Sequence, residues 1–172
     1  MKTLYCILLI VSLLFSSGGR MFGQGKVNIS AGIGFPDLLN IGIKYRVLNQ
    51  AKIGLSIGYM LPNKQNNVTD QFFWGNLLSF AGDIYYHFAG SSKFSDMRPW
   101  YGRIGFNYTR DLNHHLYAHE GKYPYLYLRI GKDLYLNKND GISIDAGWGI
   151  NLNGYEGFSF IPALGVCYFH RF

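Results

Sequence analysis

Residues 142 to 152 read ISIDAGWGINL, with large apolar side chains on every second position. Ile142, Ile144, Ala146, Trp148, Ile150 and Leu152 share one parity; Ser143, Asp145, Gly147, Gly149 and Asn151 share the other. Successive side chains of an extended chain point to opposite faces, so a period of two describes a strand with one large apolar face and one small or polar face. A helix made from the same residues would scatter the apolar groups around its circumference. The pattern constrains the fold because it recurs along the chain.

Seven further segments carry it. Lys26 to Phe35 sets Val27, Ile29, Ala31, Ile33 and Phe35 against Asn28, Ser30, Gly32 and Gly34. Asn40 to Val47 sets Ile41, Ile43, Tyr45 and Val47 against Gly42, Lys44 and Arg46. Lys52 to Leu61, Asn76 to Phe88, Trp100 to Tyr108 and Tyr123 to Leu134 follow the same recipe. Phe158 to Phe172 ends the series, alternating from Leu164. Between them, Pro36-Asp37, Asn49-Gln50 and Asn137 to Gly141 carry turn chemistry, the last through Asp-Gly, which supplies positive φ at low cost. Eight strands result, and a last strand that pairs with the first closes the sheet and leaves no unpaired edge.

In an up-and-down barrel the connections alternate between two rims. Asn49–Gln50, Ala89–Pro99 and Asn137–Gly141 fall on the rim that holds the termini. Pro36–Leu39, Pro62–Gly75, Thr109–Lys122 and Asn153–Gly157 fall on the other, and two of those four are long and polar. That asymmetry matches a barrel with short turns on one side of a membrane and longer loops on the other.

The apolar parity is aliphatic in mid-strand and aromatic near the ends, at Phe35, Tyr45, Tyr59, Tyr86, Phe88, Trp100, Tyr108, Tyr168 and Phe172. An aliphatic band between aromatic girdles is the exterior expected against lipid. The opposite parity collects Gly and Ser with Lys44, Arg46, Asp83, Arg103, Arg129, Asp133, Asp145 and Arg171. An eight-stranded barrel has room inside only for side chains, so these charges are expected to pair across the lumen. The fold expectation is therefore all-β: an eight-stranded antiparallel up-and-down transmembrane β-barrel. A soluble lipocalin-like barrel needs the reverse arrangement, and the small Gly-rich face cannot line an apolar cavity.

Composition agrees. The 172 residues leave room for one domain, with 22 Gly, 14 Tyr, 13 Phe and only 15% charged residues. Lys2 followed by the apolar run Tyr5 to Phe15, broken by Ser16-Ser17-Gly18-Gly19, reads as a signal peptide over residues 1 to 24, with the barrel over 25 to 172. Loss of Lys2 and Arg20 lowers the formal charge from +6 to +4. That mild excess favours anionic head groups, and the absence of a Lys/Arg cluster argues against nucleic acid. Cys6 precedes the apolar run and leaves with it, so Cys167 has no partner for a disulfide.

The signal peptide, the eight alternating strands, the segment MRPWYGRIGFNYTRD (Met97 to Asp111) and the terminal Phe172 resemble the small outer-membrane β-barrel families of Gram-negative bacteria, of the porin-like or OmpA/OmpX type. The resemblance covers nearly all of the mature chain. It implies a location in the cell outer membrane, contact with outer-membrane lipid, and reading of Phe172 by the barrel assembly machinery. It implies no single activity, because such barrels include anchors, adhesins, narrow pores and lipid-modifying enzymes.

Catalytic signals are thin, and no cofactor is expected. His115 and His119, with His114 and Glu120 beside them, have a spacing that would hold a metal on a helix, but they lack the HExxH arrangement. Asp83 and His87 share one strand face, yet four residues of strand span about 13 Å. No His is followed two residues later by Ser, as a deacylase-like barrel would require. The expected role is a structural or surface-interaction barrel with a side-chain-filled lumen. A narrow channel is the alternative, and a lipid-modifying enzyme or soluble binder comes third. Contact with an external ligand or partner is expected at Phe72, Phe73 and Trp74 of one outer loop, with His115 and His119 of the next as further candidates.

Overall fold

A computed structural model of the chain describes residues 26–60, 77–112, 122–152 and 160–172. Eight strands run in sequence order: β1 Val27–Phe35, β2 Leu38–Leu48, β3 Ala51–Met60, β4 Leu77–Ala89, β5 Trp100–Asp111, β6 Lys122–Tyr135, β7 Asp140–Asn151 and β8 Phe160–Arg171. Each pairs antiparallel with its neighbours, and β8 returns to β1, so the sheet is a closed barrel. Among the described residues there is no helix.

The register sets the barrel's dimensions. Stepping pair by pair from Val27 leads through Tyr45, Ile53, Ile84, Ile104, Leu128 and Trp148 to Pro162. Val27 itself meets Phe172 across the closing seam, where the Phe172 amide donates to the Val27 carbonyl at 3.0 Å. One circuit therefore climbs the ten residues that separate Pro162 from Phe172. For eight strands this shear requires a tilt of about 40° and a radius of about 8 Å at the usual strand spacing. Such a cylinder has space for interdigitated side chains and little else.

The two parities behave as the alternation predicts. Exterior side chains stay open: Leu55 is 68% exposed, Ile41 62%, Leu128 60% and Trp148 63%. Interior charges are closed off: Arg129 is 0% exposed and Asp133 4%. On β5, Trp100 and Tyr108 stand eight residues apart on the outer wall with Ile104 and Phe106 between them, about 20 Å along the axis at that tilt.

Several boundaries differ from the expectation. β5 runs on to Asp111 and β6 begins at Lys122, so their connection shortens to 112–121. The apolar pattern fades at Tyr108 while the backbone ladder continues to Asp111. β2 begins at Leu38, leaving only Pro36 and Asp37 to turn the chain. Leu38 adopts φ +61° in the left-handed region, rare for a branched aliphatic residue, and its buried side chain accompanies a turn tucked into the lumen.

Candidate functional site: the charged interior

Strand parity aims Asp83 and Tyr85 of β4, Tyr101 and Arg103 of β5, Tyr127, Arg129 and Asp133 of β6, and Asp145 of β7 into the lumen, and all are buried. Most of the bulky groups come from β4 to β7. The facing walls are lined by Ser30, Gly42, Gly54, Ser56, Ala163, Gly165 and Cys167. Two glycines show why the room is needed. A Cβ on Gly131 would stand 2.5 Å from Tyr101 Cζ and 2.7 Å from Asp145 Cβ, and one on Gly105 would meet Tyr127 Cζ at 2.5 Å.

At the centre, the Arg103 guanidinium grips Asp83 with two bonds, Nε to Oδ1 at 2.8 Å and Nη2 to Oδ2 at 2.9 Å. The fork matches the carboxylate plane, which makes this a strong geometry. Arg103 also reaches Asp145 at 3.2 Å and Asp37 at 3.2 Å. Arg129 pairs with Asp37 at 2.8 Å and Asp145 at 2.9 Å, and donates to the Phe35 carbonyl at 3.1 Å. Tyrosines complete the set: Tyr127 donates to Asp83 at 2.6 Å and Tyr101 to Asp145 at 3.1 Å. The Arg129 guanidinium carbon lies 4.3 Å from the Tyr127 ring centre. Nearer the terminal rim, Asp133 binds Lys52 at 3.3 Å, Ser143 at 2.7 Å and Tyr135 at 3.3 Å.

Every carboxylate oxygen of Asp37, Asp83, Asp133 and Asp145 thus meets at least one donor. Among the described interior residues, four buried cations, Lys44, Lys52, Arg103 and Arg129, face those four anions, so these charges balance formally. Lys44 takes another partner, with its Nζ 4.9 Å from the Tyr85 ring centre. A void beside Lys44, Ser30, Asn40 and Cys167 offers about 10 Å³ of water-sized free space, room for about one water molecule. The carboxylates of these four aspartates are thus each engaged by donors from neighbouring strands.

The structure places Arg46 and Arg171 apart from this cluster, at the rim that holds the termini. Arg46 forms a two-pronged pair with Asp96, at 3.0 and 2.7 Å, and Arg171 donates twice to Ser95 Oγ, at 2.6 and 3.1 Å. Both contacts fasten the 90–99 connection beneath the barrel, where Met97 is 3% exposed. His87 donates through Nδ1 to the Arg98 carbonyl at 2.6 Å, so it serves this floor while Asp83 serves the central cluster. The Arg46 guanidinium, hydrogen-bonded to Asp96, holds that carboxyl below its ordinary 3.8.

Several interior residues escaped the sequence reading. Asp37 sits in a Pro-Asp turn, a signal that points outward, yet it is 4% exposed. Lys52 shares the parity of Gly54 and Ser56, and that parity would have assigned it. Tyr85 and Tyr101 fall on the inward parity, but their apolar bulk masks a polar role. Phe169 likewise enters the lumen in line with Ala163, Gly165 and Cys167. Phe172 continues β8 on the outer face, its ring edge-on to His170 at 4.7 Å. Residues 1–24, Phe72, Phe73, Trp74, His115 and His119 lie outside the described residues.

No protein-family model matches the chain, and no curated protein does. Among solved structures, the chain is similar to the N-terminal β-barrel domain of Pseudomonas aeruginosa OprF. That likeness has 20% identity and a TM-score of 0.50, and it covers 85% of this chain and 98% of that one. The fold is thus an eight-stranded antiparallel β-barrel of a kind already seen in a crystal structure.

Proposed function

We propose that this chain is an integral outer-membrane β-barrel with a filled lumen, acting as a structural or surface-contact barrel and not as an enzyme. The carrying observation is the inversion of polarity. Arg129 is 0% exposed inside, while Ile33, Leu55, Ile84 and Trp148 are each more than 60% exposed outside. In water that wall is an aggregation surface; in a bilayer it is the contact surface, while the buried charges pair with one another inside. The saturated aspartates and the small void support the filled lumen over a narrow channel. The fold likeness to the OprF barrel domain is compatible with the membrane reading.

Under this reading the apolar wall meets outer-membrane lipid, Phe172 serves the assembly machinery, and the connections at 62–75 and 112–121 face an external partner. Export follows a cleaved leader over residues 1–24. Changing Phe72, Phe73 and Trp74 to Ser should leave the barrel folded and weaken surface adhesion; unaltered adhesion refutes the contact role. The reading as a whole is tested by running the outer-membrane fraction on a gel, boiled and unboiled. A band that shifts on boiling supports a detergent-resistant barrel, and absence from that fraction overturns it. Planar-bilayer recording then separates the two lumen readings: silence supports the plug, and steady single-channel steps support the channel.

A further inference from the structure

The outer wall between the aromatic girdles has a dent beside one charge. Gly102 of β5 points outward between its register partners Tyr86 of β4 and Ile130 of β6. A Cβ built there meets no atom within 4 Å, so the larger neighbours stand around an open floor. Two residues toward the terminal rim, Trp100 pairs with Lys132 across the β5–β6 ladder. Lys132 occupies an outward position flanked on its own strand by Ile130 and Leu134, 58% and 40% exposed. Its Nζ lies 5.2 Å from the Trp100 ring centre, and it makes no salt bridge among the described residues.

A lysine in an apolar wall is costly unless its ammonium reaches the head-group layer and finds an anion there. The Trp100 ring beside its ammonium offers partial compensation. We propose that this face is a docking site for one anionic phospholipid, with its phosphate on Lys132 and an acyl chain in the dent over Gly102. The assignment rests on the membrane reading above. Dent and cation are adjacent, and their order along the axis, apolar slot toward mid-wall and charge toward the rim, matches the order of chain and head group in a lipid.

The test uses the full mature barrel in mixed micelles of phosphatidylglycerol and phosphatidylcholine with identical acyl chains, and reads retained lipid by native mass spectrometry. Wild type should retain the anionic lipid about fivefold over the zwitterionic one, the size of one surface cation's attraction. Lys132→Gln should bring that ratio to parity, and Gly102→Leu should reduce retention of both lipids alike by filling the slot. Lys138→Gln, in the exposed β6–β7 turn, should leave the ratio unchanged. Parity in wild type, or an intact preference in Lys132→Gln, overturns the site while leaving a folded membrane barrel. Failure of the wild type to fold in micelles overturns the membrane reading, and this inference with it.

Discussion

Replacing Arg103 by Met tests whether the lumen is dry. The side chain is comparable in length but loses its contacts to Asp83, Asp145, Asp37 and Tyr127. Asp145 keeps Arg129 and Tyr101, and Asp37 keeps Arg129. Among the described residues, Asp83 is left with the Tyr127 and Tyr85 hydroxyls. At the 2.8 Å separation of Arg103 and Asp83, the Coulomb attraction is about 6 kcal/mol at an effective dielectric of about 20 and about 1.5 kcal/mol in water. Desolvation removes part of the larger figure, and stranding a buried charge typically costs about 3–5 kcal/mol. Urea unfolding in phospholipid vesicles, followed by tryptophan fluorescence, should show a loss of that size. Adding Asp83→Asn should recover most of it, because the stranded charge disappears. A loss below about 1 kcal/mol, the value of a solvated surface pair, would mean that water fills the lumen and the plug reading is wrong.

Three further outcomes follow from the same geometry. Gly131→Ala should destabilise the barrel by about 1–3 kcal/mol through overpacking against Tyr101 and Asp145, whereas Gly102→Ala, with open space outside, should be near neutral by the same titration. Asp96 is held below its ordinary 3.8 by Arg46, so its contribution is present above that pH and is lost as pH falls through the depressed folded value. Amides of residues 90–99 should therefore exchange faster in acid beyond the intrinsic pH effect, and Arg46→Gln should raise the Asp96 titration midpoint seen by carboxyl NMR. Cys167 faces the lumen beside the one-water void. It should react slowly with a charged methanethiosulfonate reagent in the folded barrel and quickly in urea; fast labelling of the folded form would argue for a wet passage.

Local period carried much of the architecture. Alternation over Ile142 to Leu152 or Lys26 to Phe35 reports which side chain lies on which face, since the pleat alone sets that geometry. The wall, the girdles and the inward aim of Asp83, Arg103, Arg129, Asp133 and Asp145 were legible for this reason. Lys52 was equally legible by parity, as neighbour to Gly54 and Ser56. Asp37 was not: a Pro-Asp pair marks a turn but not the direction in which the turn folds. Here it folds inward, where its carboxylate bridges Arg103 and Arg129.

By itself, then, the amino-acid sequence determined the strands, their number, their order and the two faces of each, because those depend on residues one and two positions apart. Tertiary structure decided which charges meet. Arg103 reaches Asp83 on β4, Asp145 on β7 and Asp37 in the first turn because a circuit of the barrel climbs ten residues, bringing these depths together. The same climb leaves Arg46 and Arg171 at the rim to tie down the floor, although they share the inward parity. Shear is a property of the closed sheet, settled only when β8 meets β1, so no single strand contains it.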